Sequence, residues 1–320
     1  MAHDGGSKAI IAALGANLGI AATKLVAFLL TSSSSMLAES VHSFADSGNQ
    51  LLLLVGGRRA RREADEAHPF GYGRERYLYA FIVSIVLFSI GGLFALYEAW
   101  HKWSDPHPID SWQWVALAVL VAAIGMEGYS FRTAIHESNR TRGGQSWVRF
   151  VRSAKAPELP VVLLEDAGAL VGLVFALAGV TMTLVTGNGR WDAAGTGSIG
   201  ILLVVIAVVL ALETKSLLLG ESATADAVRA IETALLGDVV VSVIHLRTLH
   251  LGPEELLVAA KIEVDGAETA AQVAVAIDAA EQRVRAAVPI ARMIYLEPDL
   301  RRVVRATADD ATQTGGTATL

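Results

Sequence analysis

Cysteine is absent from the 320 residues. Disulfides and thiolate metal sites are thereby excluded, and any metal chemistry has to use nitrogen and oxygen donors. Charge is scarce as well, at 18% of residues against 53% hydrophobic, with a net charge of -6. A soluble domain is usually about 45–50% apolar with glycine counted. The chain therefore reads as a membrane protein with a soluble appendage. Its negative balance argues against nucleic acid as a partner. The motifs HExxH and GxSxG are missing, and only one expected membrane span contains a histidine. An intramembrane hydrolase would need a metal-activated water and a general base, so that class is set aside. The first residues are polar and carry no cleavable signal pattern.

What is present is a set of apolar runs. Six are long enough to cross a bilayer, which takes about 20 residues, at 9–30, 36–56, 77–100, 112–131, 159–184 and 197–219. The connections alternate in charge. The one after the second run carries Arg58, Arg59, Arg61, Arg62, Arg74 and Arg76, and the one after the fourth carries Arg132, Arg140, Arg142, Arg149, Arg152 and Lys155. The "TSSSS" connection has no charge, and the only lysine or arginine residues in the other two are Lys102 and Arg190. The positive-inside rule then places both termini in the cytoplasm. After residue 220 the pattern turns to helix, two alternating strands around Gly252 and Pro253, a long amphipathic helix and a last strand. The expected organisation is an α-helical membrane domain of six spans over 1–220. A small cytoplasmic α+β domain follows over 221–299, in the order αββαβ (ferredoxin-like), with a flexible tail over 300–320.

The second run contains "ESVHSFADSGNQ", in which Glu39, His42, Asp46 and Asn49 are spaced 3, 4 and 3. At 3.6 residues per turn these form one helical stripe. The fifth run adds Glu165 and Asp166 in "VVLLEDAGALVG". A charge near the bilayer centre costs at least about 2.5–3.5 kcal/mol, so the two helices must face each other or a wet cavity. Such groups can simply pair and hold helices together. However, His42 and Asp46 lie one turn apart with Cβ atoms about 6 Å from each other, close enough to converge on one ion with Asp166. One imidazole with carboxylates suits zinc and would also accept iron, cobalt or manganese.

Three motifs in order, "SMLAESVHSFADSGNQ", "HPFGYGRERYLYAF" and "VVLLEDAGALVG", resemble the cation diffusion facilitator family of divalent-metal transporters. The Leu-Glu-Asp form of the third is similar to its zinc transporter nine-like branch. The likeness runs from about residue 15 to 298. It implies a homodimeric, proton-coupled exporter of zinc, or of manganese, iron or cobalt, working by alternating access with the ion as cargo and no cofactor. Protons and membrane lipids would be its other partners, and the bacterial inner membrane its location. A transport-inactive membrane sensor or scaffold is the alternative.

By position, the resemblance assigns the transport ligands to His42, Asp46 and Asp166. Many family members have a further ligand one turn before the last acid, where this chain has Val162. Glu165, a backbone carbonyl or water would complete the shell, and Glu39 and Asn49 would line the path. Asp65 and His68 match a surface metal site of some bacterial members, with Tyr72 at its third position; a solvated loop is the simpler reading. Arg74 matches a basic residue at the family's subunit interface and equally fits positive-inside anchoring. His245 matches one regulatory zinc ligand, but its companions are Lys261, Tyr295 and Glu297, which points to dimerisation rather than metal sensing. His250 reads as a surface residue. Lys24 and Glu127 lie at membrane depth, lining a cavity or paired, while Glu213 and Lys215 sit where snorkelling is cheap. Gly125, Gly128 and the "SIGGLFALYEA" run offer small residues for close helix packing.

Overall fold

The computed structural model describes residues 3–107 and 113–300, with side chains from residue 17 onward. The expected tail beyond residue 300 lies outside the described residues. Two compact units emerge. One holds the chain up to Glu221 together with His250–Glu255, and the other holds Ser222–Leu249 and the chain from Leu256.

The first unit is a helical bundle. Helices α1 (His3–Thr31) and α2 (Ser34–Arg59) form a hairpin; α3 (Glu75–Val86) runs through a π-helical segment (Leu87–Leu93) into α4 (Phe94–Ser104). Then come α5 (Gln113–Arg142), the short α6 (Trp147–Ser153), α7 (Glu158–Thr186) and α8 (Arg190–Leu219). Among the described residues, four stretches are long and apolar enough to cross a membrane: Glu75–Ser104, Gln113–Arg142, Glu158–Thr186 and Arg190–Leu219. Asn17–Thr31 of α1 is a shorter apolar stretch, and in α2 the polar stripe itself lowers the hydropathy. The chain is a helical membrane protein.

Helix ends follow local chemistry. Ser32 takes a positive φ of 52° in the tight turn between α1 and α2, and Ser33 caps α2. Gly187, at φ 67°, closes α7 in the left-handed conformation that costs glycine least. The last long helix starts at Arg190 rather than at 197, because Asp192 is absorbed into its first turn. The buried core of the bundle includes Leu87, Leu120, Leu173, Ile199, Leu203 and Leu210. α7 packs against α5 and α8, and α1 against α2. A Cβ added at Gly125 or Gly128 would meet nothing within 4 Å, so these two are not the close-packing glycines expected. Gly92 is one, since a Cβ there would come within 2.7 Å of Val204.

The second unit has the order α9 (Ala225–Leu235), β1 (Val240–Gly252), β2 (Glu255–Val264), α10 (Ala270–Ala287), β3 (Ala291–Asp299). Its three strands lie in sequence order, and β2 pairs in parallel with β3, with Val258 opposite Ile294 and Ile262 opposite Pro298. Thr269 begins α10 with a capping box to Gln272. Ile231, Leu235, Val258, Ile262, Ala280 and Val284 make its core. It is a small α/β domain.

Candidate metal centre

α2 buries a row of polar groups that the apolar bundle can hold only at a cost, and the two ends of that row are treated differently. At its N-terminal end the Asp192 carboxylate of α8 accepts from the Ser34 backbone N–H at 2.7 Å, the Ser35 N–H at 3.3 Å and the Ser33 hydroxyl at 2.9 Å. Thr196 hydroxyl sits 3.1 Å from both Ser34 and Ser35 Oγ, and Thr183 accepts from the Asp192 N–H. An acid thus satisfies the orphan donors of a helix N-terminus and complements its dipole. "TSSSS" gives no sign of this, because the acid lies some 158 residues away.

One to two turns on, Lys24 of α1 is buried and donates to Glu39 Oε2 at 3.1 Å and to Ser43 Oγ at 2.8 Å. Lys24 and Glu39 are therefore an ion pair, which resolves the first and occupies one oxygen of the second. Gly172 of α7 makes room for Glu39, since a Cβ there would fall 2.9 Å from Oε1.

His42 and Asp46 differ from these neighbours. Their Nδ1 and Oδ1 atoms are 3.5 Å apart, within ion-pair range and too far for a good hydrogen bond. Both His42 ring nitrogens and Asp46 Oδ1 are buried without a partner, as are Glu39 Oε1 and Asn49 Oδ1. The imidazole is 1% exposed. Buried polar atoms left unpaired are rare, and each calls for a reason. Glu127 of α5, Lys24 and Glu39 all act electrostatically on both His42 and Asp46. The π-helical segment comes close as well, for a Cβ at Gly91 would lie 3.9 Å from His42 Nδ1. Such segments concentrate at functional sites, and the sequence signal for this one is no more than the Gly91–Gly92 pair.

The fifth-run acids are engaged elsewhere. Asn49 Nδ2 donates to Glu165 Oε1 at 2.7 Å, joining α2 to α7, and Ser130 of α5 donates to Asp166 Oδ2 at 2.9 Å. Among the described residues no three His, Asp or Glu side chains are grouped so as to hold a metal ion. The structure brings His42 to Asp46 and holds Asp166 on Ser130. Val162 packs against the bundle core.

The outlying candidates are absorbed by local bonds. Asp65 accepts from Tyr72 hydroxyl at 2.6 Å and from the His68 N–H at 2.7 Å. The Tyr72 bond, with help from that N–H, holds the Asp65 carboxyl below the usual aspartate range. Arg62 lies over the Tyr72 ring at 4.2 Å. Arg74 sits exposed at the start of α3, whereas its neighbour Arg76 pairs with Glu158 at 2.5 Å and ties α3 to α7. His245 is exposed. Lys261 bonds Asp299 at 2.8 Å and Glu297 at 3.1 Å, and those two carboxylates raise its pKa. His250 is not a surface residue: it is 2% exposed, its N–H donates to Glu221 O at 2.9 Å, and burial lowers its ring pKa.

Residues 10–219 match the family model of the cation efflux transmembrane domain. The chain belongs to the cation efflux, or cation diffusion facilitator, family. It is 33% identical over 247 residues to the mitochondrial proton-coupled zinc antiporter SLC30A9 of Xenopus laevis, covering 76% of this chain and 44% of that protein. The Homo sapiens SLC30A9 is 30% identical over 246 residues, covering 76% and 43%. Metal tolerance protein C4 of Arabidopsis thaliana is 28% identical over 263 residues, covering 81% and 57%. The chain thus spans less than half the length of the SLC30A9 relatives. Among solved structures, a MamM C-terminal domain in its nickel form matches 24% of this chain and 96% of its own, at 22% identity and a TM-score of 0.23.

Proposed function

We propose that the chain exports a divalent transition-metal cation, zinc foremost, in exchange for protons, with six spans, both termini cytoplasmic and two copies per transporter. The bacterial inner membrane is the proposed location. The observation that carries the reading is the set of buried, unpartnered donor atoms on His42 and Asp46. Apolar surroundings make them costly, and a cation would satisfy them together. Family membership supports transport over enzymatic chemistry, and the SLC30A9 relatives are named as proton-coupled zinc antiporters.

In the proposed cycle, metal enters at the α2–α7 face and binds His42 and Asp46. Asp166 leaves Ser130 to become the third ligand, and water or Glu165 completes the shell. A metal ligand must be deprotonated, so loading releases protons. Rocking of the helices opens the site to the far side, where protonation of the ligands expels the ion. The return of the protonated site completes the exchange. The same donors would accept manganese, iron or cobalt. Asp65, His68 and His245 are left outside the transport site, each being held by local bonds or exposed.

The deciding experiment is flux of zinc, manganese, iron and cobalt into proteoliposomes under an imposed pH gradient, wild type beside His42→Asp. Gradient-dependent zinc flux that is lost, or redirected to manganese, in the variant would establish site and coupling. Gradient-independent flux would mean a passive channel. The absence of flux for all four ions would favour the sensor or scaffold role and sink the transport reading.

A further inference from the structure

On the side of α7 away from its acids lies an apolar pocket of about 630 Å³. That volume is within the roughly 300–1,000 Å³ typical of organic-ligand sites. α5 contributes Phe131, α6 contributes Val148, α7 contributes Leu164 and Ala167, and α8 contributes Val209 and Leu212. Leu164 and Ala167 share a helix turn with Glu165 and Asp166 but point to the opposite face at 100° per residue. Val148 is 68% exposed and Leu212 61% exposed, so the pocket opens to whatever surrounds the bundle. Water is disfavoured as a permanent filling, because the lining offers few polar partners.

Two charged residues complete the lining, Arg152 and Glu213, with Nε and Oε1 3.7 Å apart. That is longer than a hydrogen bond, and the Arg152 side chain is 74% exposed. Arg149 is exposed one turn before it on α6. The helix is amphipathic, with Phe150 buried and both arginines outward. Trp147, which also lines the pocket, lies beneath Arg142 at 4.1 Å. Tryptophan and arginine at the end of an apolar cleft form the pattern of a bilayer interface.

We propose that this pocket holds one acyl chain of an anionic phospholipid, whose phosphate engages Arg149 and Arg152 and displaces Glu213. The interior fits a hydrocarbon chain and the mouth fits a phosphate. The segment from Arg132 to Lys155 carries five arginines and one lysine against Glu137. A basic cleft between spans of this kind selects anionic headgroups over zwitterionic ones. Inorganic phosphate alone would leave the apolar cleft unfilled. The inference uses the membrane character of the bundle and does not rest on the transport-ligand assignment. If it holds, the occupant sits directly behind the helix turn that carries Glu165 and Asp166.

Quenching of Trp147 fluorescence in nanodiscs tests it, with the Trp147 signal taken as the difference from Trp147→Phe. The quencher is phosphatidylglycerol or phosphatidylcholine brominated in the acyl chain. Saturable quenching is expected at about tenfold lower mole fraction of the brominated phosphatidylglycerol. The double variant Arg149→Gln/Arg152→Gln should erase that preference. Val209→Phe, which fills the cleft with the arginines intact, should reduce quenching and the phosphatidylglycerol retained through purification. Equal quenching by both lipids would overturn the proposal. So would a preference unchanged in the arginine variant, or lipid retention unchanged by Val209→Phe.

Discussion

Two polar clusters share α2, and they differ in whether their atoms are satisfied. At Ser33–Ser35 the Asp192 carboxylate takes up the Ser34 and Ser35 N–H groups and the Ser33 hydroxyl, and the Thr196 hydroxyl sits against Ser34 and Ser35 Oγ. At His42 and Asp46, two ring nitrogens and a carboxylate oxygen are buried with no partner. Both clusters are polar, buried and expensive, and hydropathy alone cannot tell them apart. Satisfaction can. A cluster that uses up its hydrogen-bonding capacity serves the fold, and one that withholds it has capacity left for a ligand. The Lys24–Glu39 pair stands between them, with one carboxylate oxygen bonded and the other free.

Breaking each cluster should therefore give opposite phenotypes. His42→Ala or Asp46→Ala should cut gradient-driven zinc flux by more than about a hundredfold, the scale on which metal sites respond to lost support. Thermal unfolding of the purified variants should barely shift, since little hydrogen bonding is lost. Wild-type flux in both would end the site assignment. Lys24→Met strands Glu39 and should cost about 3–5 kcal/mol of stability, recovered in the double variant with Glu39→Gln. A stable single variant would show that the pair is dispensable. Asp192→Ala orphans the Ser34 and Ser35 N–H groups at about 1–3 kcal/mol each. Hydrogen exchange should accelerate at the start of α2, with flux falling only in step with the amount of folded protein.

Smaller effects sharpen the contrast. Ser130→Ala releases Asp166 from its hydrogen bond, worth about 1 kcal/mol, and should tighten zinc binding about fivefold by calorimetry. Unchanged affinity would remove Asp166 from the ligand set. The smallest effect concerns the 65–72 turn. The Asp65 carboxyl is lowered by Tyr72 and the His68 N–H, so its contribution is present above the unfolded aspartate pKa and lost as pH falls through the lower folded value. The Tyr72 ring resonances should move in that acid window and stay still in Asp65→Asn.

The stripe on α2 was legible in the sequence because a 3-4-3 spacing of polar residues inside an apolar run has few inexpensive explanations. The helical character of the spans and the small α/β domain were legible for the same kind of reason, since period and hydropathy both survive in one dimension. What could not be read was pairing across the chain. Nothing near "TSSSS" points to Asp192, and nothing near Glu39 points to Lys24 as its partner rather than to a cavity. The start of α8 is not legible either, because Gly195, Asp192 and Arg190 look like a loop until the α2 start supplies the acid with donors. His250 reads as a surface residue, although it is buried with its N–H bonded to Glu221. Asp166 matched a motif position, yet its hydroxyl partner on α5 leaves no trace in local sequence.

The π-helical stretch Leu87–Leu93 divides a span of 30 residues into two α-helical halves. A π turn holds one more residue than an α turn. When it slides by a turn, the residues it passes rotate by about 100° relative to the rest, while the backbone stays continuous. Where the π turn lies in this span therefore sets which faces its two α-helical halves present to the bundle. That π turn lies beside His42, for a Cβ at Gly91 would fall 3.9 Å from its Nδ1.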